Sequence, residues 1–404
     1  MSDVTEGVTF PNGFRAAAVT AGLKASGRPD LALLVGDIGT VAAGAFTTNA
    51  VTAAPVSLSR GRLERTDGAA RAVLVNSGQA NAATGARGSA DALVATGAAA
   101  ERCGMAADEV LACSTGVIGE PLYVERLIEG IPSLVDALSE TGGAAFARAI
   151  RTTDTVDKCA TAEAPPYRVG GCAKGVGMIA PNLATMLGFL TTDAAIRAED
   201  LRSLVRRVVA PRFNDVTVDG CTSTNDTVLV FASGAARAKA VEPGTAEWWS
   251  LAGAIDDVAT SLARQLISDG EGATHVMIVA VEGAVDGADA RRVARAVCES
   301  SLVKTAIFGE DPNPGRFVQA VGASGADVDV DELDVWIGDV RLAAGGVIPP
   351  DYFGGSALTE AAKAAMSSPE VNVTVHVGSG PGRARVLGCD LSYEYVRING
   401  EYTS

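Results

Sequence analysis

The sequence predicts an α/β protein, and three observations carry that reading. Short apolar runs of strand length, such as 31–35 and 72–75, recur along the chain. Between them lie stretches whose apolar residues share one helical face, such as Leu201, Leu204, Val205, Val208 and Val209. The 404 residues are 48% apolar. That is enough to fill the core of two to three average domains, or of one large α/β unit with an elaboration.

From the N-terminus to about residue 76 the pattern is strand-like, with apolar runs broken by glycine. Residues 76–85 (Asn-Ser-Gly-Gln-Ala-Asn-Ala-Ala-Thr-Gly) form a polar, Asx-rich loop by composition. An alanine-rich helix follows over 89–102. Residues 111–119 predict a strand that breaks into a turn at Ser114-Thr115-Gly116. A small turn of this kind aims a hydroxyl and a neighbouring backbone N–H at one point, as oxyanion stabilisation requires. Two helices, over 122–138 and 144–150, lead to Thr152-Thr153-Asp154-Thr155 and a Pro165-Pro166 loop.

Beyond the amphipathic helix at 201–209, Val216 to Val218 enters the polar cluster 219–227, which is either a hairpin loop or a site wall. A strand at 228–232 follows. A long helix is marked by Leu251, Ile255, Val258, Leu262 and Leu266, and stops at Asp269-Gly270. Glu271-Gly272 leads into a strand at 276–281, then a helix around 290–298. Lys304 is expected to enter a strand, and Arg316 to leave a proline-locked loop. An alternating strand (Leu333, Val335, Ile337), a helix over 357–366 and strands at 371–377 and 385–387 finish the body. The tail ends without a disordered polar run, which predicts that it is tied down.

Charge and composition exclude several classes of function. The net charge is −15 with no basic run, which argues against nucleic acid or an anionic membrane as partner. No secretory signal is visible, and no apolar run approaches the roughly 20 residues of a membrane span, so a cytoplasmic location is expected. Seven scattered cysteines without a Cys-x-x-Cys pair read as buried thiols in a reducing compartment. Two histidines cannot build a histidine-rich metal site, and no metal is expected. His376 falls on the polar side of an alternating strand, so it reads as an exposed strand residue.

The stretch with the most chemistry runs from Gly170 to Leu190. Its first half, Gly170-Gly171-Cys172-Ala173-Lys174-Gly175-Val176-Gly177, is glycine-rich and predicts a bent loop. After Pro181-Asn182 it becomes an apolar run that suits a buried strand, and Thr185 is its first hydroxyl. A threonine there serves either packing or nucleophilic attack, and composition leaves both open. Lys174 likewise reads as a solvated loop lysine or a ligand for an anion, and Glu271 as a strand-start contact or a ligand for an ammonium group. A threonine hydroxyl needs a nearby base. Two histidines leave few side chains for that role.

This segment resembles the self-cleavage segment of the ornithine acetyltransferase (glutamate N-acetyltransferase) family of arginine biosynthesis, and the resemblance extends over nearly the full chain. It implies helix-covered mixed β-sheets in an α/β/β/α-like sandwich of the kind shared with self-cleaving aminopeptidases. It implies cleavage between Ala184 and Thr185 into chains 1–184 and 185–404, interlocked and assembled as two copies of each. Thr185 would be the nucleophile, while Thr115 and Gly116 match the oxyanion-holding pair. Thr153, Lys174, Thr185, Glu271, Asn399 and Ser404 match positions that contact substrate. The implied reaction is ping-pong transfer of an acetyl group from N2-acetyl-L-ornithine to L-glutamate, with no cofactor and with acetyl-CoA as a second candidate donor. The alternatives are a related aminopeptidase or amidohydrolase, in which water takes the acyl group, and an acetyltransferase of specialised metabolism. Three positions depart from the family pattern: Gln79 replaces an asparagine, Ala83 a cysteine and Pro314 a tryptophan.

Overall fold

A computed structural model describes residues 4–180, 186–353 and 355–401, which divide into two compact units. The first holds residues 4–214 and 222–266, and the second 215–221 and 267–401.

In chain order the first unit contains β1 (Phe14–Val19), β2 (Leu31–Gly36), β3 (Val41–Phe46), α1 (Ala54–Arg65), β4 (Ala72–Gln79), α2 (Gly85–Cys103), β5 (Val110–Val117), α3 (Val124–Asp136) and α4 (Gly143–Ala149). It continues with β6 (Lys158–Ala164), β7 (Tyr167–Lys174), β8 (Leu187–Thr192), α5 (Ala198–Leu204), α6 (Ala210–Asn214), β9 (Thr227–Ala232) and most of α7 (Ala246–Ser268). Two sheets result, ordered β1-β2-β4-β5 and β3-β9-β8-β7-β6. Their inner faces share one core, in which Val73, Val75, Leu111 and Cys113 meet Cys172, Phe189, Leu229 and Phe231. On the outer face of the first sheet, Leu31, Leu33, Leu74 and Val110 pack against Ala95 and Ala99 of α2 and Leu127, Ile131 and Leu134 of α3. On the outer face of the second sheet lies α7: a Cβ built on Gly171 would sit 3.1 Å from both Val258 and Leu262. The unit is therefore an α/β/β/α sandwich, as expected.

Strand β5 is the open edge of the first sheet, and side chains close it. The Ser59 hydroxyl of α1 donates to the Ala112 carbonyl and accepts from the Ala112 amide, both at 2.8 Å. Arg62 donates to the Val110 carbonyl, and Asn225 Nδ2 to the Ser114 carbonyl at 2.8 Å. An edge capped this way offers no free ladder to another chain.

The second unit contains the strands β10 (Val276–Ala284), β11 (Asp334–Ile337), β12 (Val340–Ala343), β13 (Glu370–His376) and β14 (Gly382–Cys389). Its helices are α8 (Gly287–Glu299), α9 (Ser301–Phe308), α10 (Pro314–Gly322), α11 (Ala357–Met366) and α12 (Tyr393–Gly400). The sheet order is β12-β11-β13-β10-β14. Alternate valines of β10 and β13 pack with Val293, Val297, Ile307, Phe317 and Met366 in a second core.

Several local expectations are overturned. Residues 54–65 are helical, because the buried stripe Val56, Ser59, Arg62, Leu63 carries two polar side chains that hide its period. The strand ending near Val75 continues to Gln79, and β5 continues through Ser114-Thr115-Gly116 without a turn. The two are paired in parallel there, Ser77 opposite Thr115 and Gly78 opposite Gly116. Gly170 to Lys174 is likewise strand, not bent loop. Its glycines answer close packing, since a Cβ on Gly170 would lie 2.0 Å from the Gly7 carbonyl oxygen. Lys304 sits in a helix capped by Ser300 rather than in a strand, and Arg316 is inside a helix that begins at Pro314. Cys221 is exposed and Cys103 partly so, whereas the other five cysteines are buried.

Two glycine substitutions test this packing. Gly170→Ala should lower the stability measured by urea unfolding by about 1–3 kcal/mol, because both nearest obstacles belong to the backbone or a proline ring. Gly97→Ala in α2, where a Cβ meets nothing within 4 Å, should raise it by about 0.5–1 kcal/mol.

Candidate active site

Strand alternation builds the site. Along each inner face the apolar row ends in a polar residue: Val75 is followed by Ser77, Cys113 by Thr115 and Cys172 by Lys174, while Leu229 is preceded by Thr227. These four polar side chains are buried and cluster at one end of the sandwich. There the Lys174 ammonium donates to Thr115 Oγ1 at 3.1 Å and to Thr152 Oγ1 at 2.8 Å. Lys174 is 2% exposed, so it is no solvated loop lysine.

The charge on Lys174 is held by a neighbour that sequence reasoning did not select. Asp154 is buried and forms a 2.8 Å ion pair with Lys158, whose side chain is equally buried. Its other oxygen lies 4.0 Å from the Lys174 ammonium and accepts the Thr152 amide at 3.1 Å. The Gly175 amide donates to the first oxygen at 2.7 Å. Burial alone would raise this carboxyl's pKa. The two ammonium groups, Lys174 before Lys158, outweigh burial together with the hydrogen bonds and hold it well below the usual carboxylate range. Lys24 is close enough to feel the same charges; burial first, then Arg28, lowers its pKa to about 8.

A second buried aspartate stands across the loop that joins β7 to β8. Lys174 is paired with Leu187, so the chain leaves one strand and enters its neighbour at the same level. Gly175 at the start of that connection is bound by Asp154, and the amide of Met186 at its end donates to Asp226 Oδ1 at 3.1 Å. Asp226 is fully buried, and among the described residues its Oδ2 has no hydrogen-bond partner. Burial pushes its pKa well above the ordinary value, against the Met186 amide, Ser223 and the Lys174 charge. The two carboxyls are thus shifted in opposite directions, Asp226 upward by burial and Asp154 downward by its ammonium neighbours. The polar cluster 219–227 is in this part a buried wall: Ser223, Thr224, Asn225 and Asp226 are all buried, with Asn225 Nδ2 also on the Ala80 carbonyl at 2.6 Å.

Gly116 follows Thr115 on the edge strand. Side chains bind the outward backbone groups of Val110, Ala112 and Ser114, so by alternation the next outward amide is that of Gly116. Its φ of +132° matches the +130° of Gly78 opposite, and a Cβ on Gly116 would lie 2.1 Å from the Gly78 carbonyl oxygen. Only glycine fits there.

The remaining selected residues fall into three groups. Thr153 lies in the loop beside Thr152 and Asp154. Glu271 and Asn399 belong to the second unit, where Asn399 Nδ2 donates to Glu271 Oε2 at 2.8 Å. Ala184, Thr185 and Ser404 lie outside the described residues. Of the three departures, Gln79 Nε2 donates to the Leu23 carbonyl at 3.0 Å, Ala83 is exposed, and Pro314 is buried at the first turn of α10. Among the described residues no group of three or more histidine, cysteine or acidic side chains is placed to hold a metal ion. No helix among them is long and apolar enough to cross a membrane.

A model of the ArgJ family matches residues 15–404. The chain belongs to the ArgJ family. It is 47% identical over 409 residues to the arginine biosynthesis bifunctional protein ArgJ of Parasynechococcus marenigrum (strain WH8102), covering 99% of this chain and 96% of that protein. The protein of the same name from Geobacter sulfurreducens is 47% identical over 394 residues, covering 96% and 98%. The crystal structure of arginine biosynthesis bifunctional protein argJ from Bacillus halodurans aligns with a TM-score of 0.50 at 38% identity, over 54% of this chain and 100% of that one. This ArgJ-family chain is an acetyltransferase of arginine biosynthesis.

The contrast between the two aspartates has a pH signature. Folded Asp226 keeps its proton where the unfolded chain has lost it, so its contribution to stability falls as pH climbs above the ordinary aspartate range, near about 4. Asp154 has the opposite sign: its contribution is complete above that range and is lost on acidification. Asp226→Asn should therefore give a higher urea midpoint at neutral pH than the parent chain, with a flatter dependence on pH above about 5. A lower midpoint at neutral pH would mean that the native carboxyl is ionised and paired.

Proposed function

We propose that this chain cuts itself between Ala184 and Thr185, and that Thr185 then carries acetyl groups from N2-acetyl-L-ornithine to L-glutamate. In the first reaction Thr185 Oγ attacks the Ala184 carbonyl carbon. The C–N bond breaks, the hydroxyl proton ends on the freed α-amine, and water opens the resulting ester. In each later turnover the same oxygen attacks the acetyl carbonyl of acetylornithine, and the α-amine of Thr185 takes its proton and passes it to the departing ornithine nitrogen. The glutamate amine then attacks acetyl-Thr185 and the proton path reverses.

The observation that carries this reading is the bond from Lys174 to Thr115 Oγ1. An ammonium group can only donate, so Thr115 accepts there and keeps its single hydroxyl proton for another acceptor. The Gly116 amide is the next edge-facing donor beside it. One hydroxyl and one amide aimed at a developing oxyanion are worth about 10²–10³ in rate per donor. Thr153, Lys174, Glu271, Asn399 and Ser404 would hold the charged ends of the two substrates. Acetyl-CoA is a second acetyl donor for the same acyl-enzyme.

Strand order supports interlocked products. In the second sheet β9 and β8 from 185–404 lie between β3 and β7 from 1–184. Cleavage of the joining loop leaves every ladder in place, so the two chains stay together, and we propose an assembly of two copies of each in the cytoplasm.

Denaturing electrophoresis should show two fragments in place of a 40.9 kDa band, and Thr185→Ala should remain at 40.9 kDa with activity lowered by at least about 10³-fold. The processed protein, mixed with acetylornithine and glutamate, should yield ornithine and acetylglutamate. Release of free acetate alone would make it a hydrolase, and labelled acetyl-CoA in place of acetylornithine decides the second donor.

A further inference from the structure

We infer that Asp154 is a positioning residue of the acetyl-transfer reaction, holding the Lys174 ammonium on Thr115 Oγ1 so that the Thr115 proton points at the oxyanion. The inference rests on the reading of Thr115 as an oxyanion donor and extends the machinery to a residue that acts through Lys174.

Asp154 meets Lys174 through four separate constraints. Its carboxylate faces the ammonium directly at 4.0 Å. It fixes the backbone of Gly175, the residue after Lys174, at 2.7 Å. It fixes the backbone of Thr152, whose hydroxyl accepts a second Lys174 proton, at 3.1 Å. It also binds the buried Lys158 at 2.8 Å, on the strand that pairs with β7. One carboxylate therefore sets where the lysine emerges and places one of its two hydroxyl acceptors. A simple counter-ion would satisfy only the charge.

The charge balance adds a second consequence. Lys158 and Lys174 are both buried, and Asp154 neutralises one of them, so the three together carry one net positive charge. Lys174 is the member of this cluster that lies next to Thr115. A buried cation at that point favours the negative charge that develops on a tetrahedral intermediate.

A structural role and a positioning role separate in one experiment. Asp154→Asn removes the carboxylate that two buried ammonium groups share and is expected to fold poorly. The double variant Asp154→Asn with Lys158→Met restores the single net charge and keeps an oxygen able to accept the Gly175 amide. With acetylornithine and glutamate, the positioning role predicts a double variant whose Tm is close to wild type, whose kcat falls at least tenfold, and whose KM values change less than threefold. A double variant with wild-type kcat would overturn the inference and reduce Asp154 to the counter-ion of Lys158. If the double variant does not fold, Asp154→Glu keeps the charge and moves it by one methylene. The same loss of kcat without loss of Tm supports the inference there, and wild-type kcat overturns it. Should the unaltered enzyme itself make no acetylglutamate, the reading of the reaction fails instead, and the variants play no part in that outcome.

Discussion

A carboxylate buried between two ammonium groups is the constraint on which the site depends. Three ionised side chains removed from water carry a desolvation cost that only close pairing and hydrogen bonding offset. Asp154 meets that requirement with two lysines and two backbone amides, all short-range. The arrangement is intolerant of displacement, because moving any member lengthens a buried ion pair or hydrogen bond. The end of the sandwich is therefore rigid where an apolar core would otherwise fray into loops.

That rigidity is passed to the chemistry through two strands. Thr115 lies on β5 of one sheet and Lys174 on β7 of the other, and both occupy inner positions just beyond the last core cysteine of their strand. The apolar core below them sets the separation of the sheets, and that separation allows a 3.1 Å hydrogen bond. On the open side of β5, side chains from α1 and from Asn225 take the outward carbonyls and amide of the three preceding edge positions. The strand thus reaches Gly116 straight, with an amide directed outward. Packing, edge protection and donor placement are one arrangement.

The loop from Gly175 to Met186 is tied at both ends by aspartates whose pKa values are shifted in opposite directions. Near the start a carboxylate beside two lysines binds an amide, and at the end a carboxyl whose pKa burial pushes up does the same. The difference follows from neighbours, since both groups are equally removed from water. Tethers at both ends keep the ends of the loop fixed relative to the strands, whatever bond inside it is cut.

Much of this was legible in the amino-acid sequence, and the limits have a physical cause. Period and composition determined the α/β class and most helices and strands, and the contiguous segment around Lys174 and Thr185 carried the resemblance to the family. Local pattern misjudged the Ser114-Thr115-Gly116 segment, because small polar residues favour turns unless a neighbouring strand binds their backbone, and β4 does so. It passed over Asp154 and Lys158 because an acidic or basic residue among threonines and alanines reads as solvent-exposed. Their burial is decided by the meeting of a helix-to-strand loop with the end of a β-sheet, a contact between segments about 20 residues apart or more that no local window contains. The sequence alone determined which residues are chemically able to act. Which of them share a charge, and which amide faces outward, was decided by the pairing of strands and the facing of two sheets, because hydrogen bonds and ion pairs depend on distance in space rather than along the chain.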